Sequence, residues 1–208
     1  PEKKLTVINA RGTAKDYSLN VAATKWDIQD IKGIPQKKVT PSAADQKEIG
    51  RERSDLKKAL ADKLNKNYWE KGFVMPVKGR ISGHFGGQRI MNGRKMNPHQ
   101  GTDIAAPEGT PVKAASNGIV RLSGGNYFYS GNTVVIDHGH RLFTIYAHLK
   151  KTSVKPGDYV KQGQVIGEVG KTGRVTGPHL HWGASLNGVR FTPESLLHMN
   201  NADFCFNL

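Results

Sequence analysis

The sequence predicts a mainly β protein, with an antiparallel domain of the sandwich or barrel kind preceded by a small β unit and one long helix. Two observations carry this. From Phe73 onward the apolar residues fall in short runs separated by glycine and proline, the rhythm of antiparallel strands joined by turns. Upstream of Phe73 a single segment has helical periodicity. A length of 208 residues leaves room for one large domain or two small ones, with enough apolar content for a core.

Taken in order, residues 3 to 32 alternate apolar and polar side chains in short runs, Leu5-Thr6-Val7-Ile8-Asn9 and Tyr17-Ser18-Leu19-Asn20-Val21, broken at Arg11-Gly12. They read as a small β unit ending at Lys32-Gly33. The proline and lysines of Ile34-Pro35-Gln36-Lys37-Lys38-Val39 suit an extended linker, so residues 1–39 form a β module with its linker. Thr40 then serves as N-cap with Pro41 at the first helical position. The helix runs to about Asn67 with Ile49, Leu56, Leu60 and Leu64 on one stripe, so residues 40–72 pack on or link the domains. The functional domain is 73–208. Within it Val112 to Val120, Thr133 to Asp137, Leu142 to Leu149, Tyr159 to Val169 and His179 to Ala184 read as strands, and Pro193–Leu197 as a closing helical turn.

The net charge of +14 raises nucleic acid as a partner. The basic residues are spread over the whole chain, however, and no zinc finger, basic zipper or RNA-recognition signature is present, so nucleic acid is not expected. A diffuse excess suits an acidic matrix such as a bacterial envelope. No apolar run approaches the ~20 residues of a membrane span, so no transmembrane segment is expected in this chain. No leader stands at Pro1, and a start without Met implies a processed or truncated chain from which any signal or anchor segment is missing. Cys205, alone, excludes an intrachain disulfide and a Cys-rich zinc site.

Chemistry concentrates in the histidines, at 84, 99, 138, 140, 148, 179, 181 and 198. In a strand, side chains two apart share a face, so His179 and His181 point the same way. His99 and Asp103 would lie about 13 Å apart in a straight strand, too far to share an ion, so the chain must turn between them, which Gly101 permits. A catalytic zinc site needs three N or O ligands and an open position, and a histidine pair with one aspartate satisfies this. His148, in Tyr146-Ala147-His148-Leu149, is free to hydrogen-bond a reacting water or a developing oxyanion. His138-Gly139-His140 reads instead as a hairpin turn whose imidazoles diverge or face solvent. His84 and His198 read as surface or packing residues, and Trp182 as a wall of the core.

At these residues the sequence resembles the lysostaphin/LytM-type zinc endopeptidases, which cut peptidoglycan. Three blocks carry the likeness: His99-x-Gly101-x-Asp103-Ile-Ala-Ala-Pro107-x-Gly109-Thr-Pro-Val, Tyr146-Ala-His148-Leu149, and Gly170-x-Thr172-Gly173-x-x-Thr176-Gly177-Pro-His179-Leu-His181. By this resemblance, which covers about residues 80 to 195, one Zn2+ is held by His99, Asp103 and His181, while His148 and His179 become the non-ligand catalytic histidines. The alternation had placed His179 and His181 together without choosing between them. The resemblance also implies a β-sheet lining an open groove, peptidoglycan as substrate, hydrolysis by a zinc-activated water, and a periplasmic or cell-envelope location. A weaker likeness of the first 72 residues to Gram-negative relatives implies D,D-endopeptidase specificity and autoinhibition by residues 1–72. Two other readings compete. One is a ligand-complete but inactive adaptor that activates other cell-wall hydrolases. The other is a lipoyl-type carrier, suggested by Val154-Lys-Pro-Gly157-Asp158-Tyr-Val160-Lys-Gln-Gly163-Gln-Val-Ile166-Gly, which leaves the placed histidines unexplained.

Overall fold

Residues 2–8, 11–61 and 64–199 are described by a computed structural model of the protein; Cys205 lies outside them. The chain begins with β1 (Glu2–Ile8), β2 (Ala14–Asn20), β3 (Ile28–Ile31), α1 (Gln36–Val39) and α2 (Ala43–Ala59). Then follow β4 (Arg80–Gly83), β5 (Gln88–Met91), β6 (Arg94–Lys95), β7 (Thr102–Ala105), β8 (Pro111–Lys113), β9 (Gly118–Tyr127) and β10 (Gly131–Asp137). The last elements are β11 (Leu142–Thr152), β12 (Tyr159–Val160), β13 (Val165–Val169), β14 (His179–Leu186), β15 (Val189–Phe191) and a 3₁₀ turn at Pro193–His198.

The expected mainly β architecture is present, as an open antiparallel sheet and not a closed barrel. Its strand order is β12-β9-β10-β11-β14-β7-β4, with β13 bridging β11 to β8 and β15 on β14. Thr133–Asp137 and Leu142–Leu149 are buried without alternation, which requires cover on both faces of the sheet. Val134, Ile136, Tyr146, Leu180 and Trp182 face one large core. Val135, Phe143 and Ile145 face the opposite way, where Leu56 and Ala59 of α2 and the following Leu60 cover them. The amphipathic stripe of α2 thus seals the back of the sheet that carries the histidines.

The helix is shorter than its periodicity implies. Thr40 caps the end of α1, its N–H bonding Gln36 O at 2.8 Å, so it is not available to start α2. Ser42 starts it instead. Its hydroxyl accepts from Asp45 N–H at 3.2 Å while the Asp45 carboxylate accepts from Ser42 N–H at 2.9 Å, a capping box. The helix ends at Ala59, and Leu64 is not on its stripe. The Leu64 carbonyl accepts from His140 N–H, and Tyr68 N–H bonds His138 O, so this stretch follows the β10–β11 turn. The N-terminal β unit also divides. β1 and β2 form a hairpin, exposed along its whole length, whereas β3 pairs in parallel with β5 in a separate three-stranded sheet.

Candidate metal centre

Strand pairing builds the centre. β7 and β14 are antiparallel neighbours with Asp103 directly opposite His181, so the two side chains share one face. His99 precedes β7, held by His99 N–H to Gly87 O at 2.9 Å and Gly86 N–H to His99 O at 2.8 Å. Gly101 is needed for close approach, not for an unusual φ: a Cβ there would lie 2.5 Å from Trp182 O and 2.7 Å from the His181 ring. Gly101 therefore lets β14 lie close enough for His99 and Asp103 to converge on His181.

His99 Nε2 lies 3.1 Å from Asp103 Oδ1 and 3.0 Å from His181 Nδ1, and His181 Nδ1 lies 2.9 Å from the same oxygen. His99 Nδ1 is 3.0 Å from His84 O, which as acceptor fixes the tautomer and turns the Nε2 lone pair inward. Three electron-pair donors this close repel one another unless a proton or a cation lies among them. Two imidazoles and a carboxylate are a donor set suited to zinc.

His179 and His148 stand beside this triangle. His179, on the same face of β14 as His181, has Nε2 3.7 Å from Asp103 Oδ1 and donates from Nδ1 to Gly177 O at 2.9 Å. His148 gets there by a bulge. Asn132 pairs with Leu149 and Val134 with Tyr146, so Ala147 and His148 together oppose Thr133, and His148 takes φ +64°. Its ring lies 4.8 Å from that of His179 and 5.9 Å from that of His181, and its Nδ1 donates to Thr172 O at 2.9 Å. The bulge aims a residue of a core strand into the open cavity.

Burial alone would raise the Asp103 carboxyl, but hydrogen bonds from His181 and His99 hold it well below the usual carboxylate range. Burial pushes His181 down to about 4 against the pull of Asp103. Burial, with the nearby His179 and His181, also holds His148 well below the ordinary imidazole value, so its Nε2 is a free acceptor at neutral pH.

The other histidines lie elsewhere. His138 and His140 diverge, but His138 does not reach solvent: it is fully buried, with Nδ1 2.7 Å from Asn117 O and Nε2 2.7 Å from Thr144 Oγ1. Its Asp137 neighbour folds back to accept from Gly139 N–H, which turns the imidazole inward. His198 is exposed, and so is the side chain of His84, whose carbonyl nonetheless orients His99. Sequence reasoning missed Arg89, which pairs with Asp103 Oδ2 and donates from Nε to Gln29 Oε1 at 3.2 Å. Arg89 reaches Asp103 from another sheet, so no local spacing announces it.

The model of peptidase family M23 matches residues 97–193. Over 119 residues the chain is 45% identical to the peptidoglycan DD-endopeptidase ShyC of Vibrio cholerae, covering 56% of this chain and 27% of ShyC. It is 44% identical over 117 residues to the DD-carboxypeptidase/endopeptidase Mpg of Neisseria meningitidis, covering 56% of this chain and 27% of Mpg. The chain thus spans about a quarter of the length of these relatives. A solved peptidase M23 from Pseudomonas aeruginosa superposes with a TM-score of 0.70 at 33% identity, over 94% of this chain and 72% of that one.

Proposed function

Because this chain belongs to peptidase family M23, we propose that it is a zinc endopeptidase that hydrolyses the peptide cross-links of peptidoglycan. The observation that carries this reading is the convergence of His99 Nε2, Asp103 Oδ1 and His181 Nδ1, with His148 and His179 alongside. His99, Asp103 and His181 hold one zinc ion. The ion would supply Lewis-acid chemistry there, lowering the pKa of water and polarising a carbonyl.

The chain's own residues supply the proton traffic. His148 and His179 each spend Nδ1–H on a backbone carbonyl, Thr172 O and Gly177 O, which leaves Nε2 of each as the acceptor. Fixed in that tautomer, the pair takes a proton from the attacking water and returns it to the leaving amine. The site works in the periplasm or cell envelope, on D,D cross-links such as those named for the relatives. No helix among the described residues is long and apolar enough to cross a membrane. Residues 1–72 restrain the groove: Gln29, Ile31 and Ile34 line a cavity with Asp103 and His179, and Gln29 grips Arg89.

Purified peptidoglycan digested by the protein, with new termini identified by mass spectrometry, tests the reading. Asp103→Ala should lose bound zinc by elemental analysis and lose digestion with it. Full zinc occupancy and undiminished digestion in that variant would overturn the ligand assignment.

A further inference from the structure

Arg174 lies on the loop between β13 and β14, and that loop is pinned. Arg174 N–H bonds Tyr129 O at 2.9 Å, and a Cβ on Gly173, at φ +81°, would stand 2.4 Å from the same oxygen. The guanidinium carbon sits 4.4 Å from the centroid of the Tyr129 ring, so the cation is held against an aromatic face. Arg174 lines the cavity with His99, His148 and His181, and also the adjoining one with Asp103 and His179. Whatever pairs with it lies beside the metal centre.

Among the described residues no carboxylate pairs with Arg174, although burial pushes its pKa below the ordinary arginine value. The acids nearby are already engaged. Glu52 accepts from Tyr129 N–H at 2.9 Å, Ser130 N–H at 3.0 Å and Ser130 Oγ at 2.7 Å. Asp103 is taken by His99, His181 and Arg89. Arg89, on the same wall, is paired with Asp103, while Arg53 adds further positive charge to a cavity whose own lining holds no carboxylate. A guanidinium drawn partly out of water without an anion is unfavourable, and the imbalance is removed when an anion arrives with the ligand.

We propose that Arg174 is a substrate-binding residue that takes a carboxylate of the peptide lying across the metal centre, and that it selects acidic cross-linked peptides over amidated ones. This rests on the endopeptidase reading for the identity of that peptide. The fork of the guanidinium matches a planar carboxylate through two parallel N–H···O bonds, and the Tyr129 ring beneath fixes the plane in which they form. An amide in place of the carboxylate keeps the shape but loses the charge and one of the two acceptors.

The test uses the zinc-loaded protein and two cross-linked stem-peptide dimers that differ only in whether the carboxyls beside the cross-link are free or amidated. Binding is read by calorimetry on dimers whose scissile amide is N-methylated to prevent cutting. The wild type should bind the free-carboxyl dimer ~10–100-fold more tightly than the amidated one. Arg174→Gln should lose that difference while keeping its zinc, and Arg174→Lys should retain part of it. Equal binding of both dimers by the wild type, or undiminished discrimination by Arg174→Gln, overturns the proposal; the first comparison needs no variant to fold. Cleavage of unmethylated dimers separates the two readings. Arg174-dependent binding with no cleavage refutes the endopeptidase and leaves the carboxylate site standing. Cleavage of both dimers at equal rates by wild type and Arg174→Gln refutes the carboxylate site and leaves the endopeptidase.

Discussion

At the scale of single residues, backbone hydrogen bonds fix the tautomer of three of the imidazoles at the candidate centre. Backbone carbonyls of His84, Thr172 and Gly177 take Nδ1–H of His99, His148 and His179, so the Nε2 lone pairs face the cavity. On the proposed assignment, one variant separates ligands from bases. His148→Ala removes a proton acceptor without touching the donor triangle, so zinc content should stay at the wild-type level while turnover falls by ~100-fold or more. Elemental analysis beside a murein-release assay checks this, and a metal-free variant would place His148 among the ligands instead. The motif blocks name all five residues, but the carbonyls that orient them are backbone groups and leave no trace in side-chain identity.

At the scale of elements, two irregularities do what regular pairing cannot. The bulge in β11 turns His148 out of a core strand, and the β10–β11 turn sends its two histidines to opposite environments. His138 is held neutral by burial, which pushes its pKa down to about 4. The folded state therefore binds fewer protons than the unfolded chain between about pH 6.5 and 4, and stability is lost as pH falls through that window. His138→Asn should lower stability by on the order of 2 kcal/mol at neutral pH, through lost hydrogen bonds and packing, and should flatten the acid side of the profile. His140→Asn, at an exposed site with φ +48° that asparagine tolerates, should change stability by no more than about 0.5 kcal/mol. Thermal melts from pH 4 to 7 decide it: equal slopes for wild type and His138→Asn would mean that His138 does not carry the acid sensitivity.

At the scale of the whole molecule, β3 is joined to β5 by parallel pairing. Ile31 packs with Ile34, Val39, Met91 and Met96 in a small apolar cluster of its own, separate from the main core. Ile31→Asp places a charge in that cluster and should detach β3 from β5 while leaving the ten-stranded sheet intact. If residues 1–72 restrain the groove, murein digestion should become faster in this variant at unchanged zinc content. A rate equal to the wild type, with hydrogen exchange confirming that β3 has opened, would remove the restraint from the proposal.

The sequence by itself determined the mainly β class, strands β10, β11 and β14 and the motif positions, whereas Val112 to Val120 and Tyr159 to Val169, each read as one strand, are each divided in two by the fold. These follow from local periodicity and from residue types at short spacing, which tertiary context does not alter. Strand alternation alone put His179 and His181 on one face. The tertiary structure decided the rest. Gly101 matters because β14 passes within contact of it, a distance no sequence spacing encodes. Helix α2 starts from Ser42 because Thr40 is committed to α1, and it stops at Ala59 while the backbone near Leu64 follows the β10–β11 turn. Arg89 and Gln29 come to Asp103 by pairing of distant strands. Such long-range register is fixed by the burial of whole faces at once, so it belongs to the folded molecule and not to any stretch of its chain.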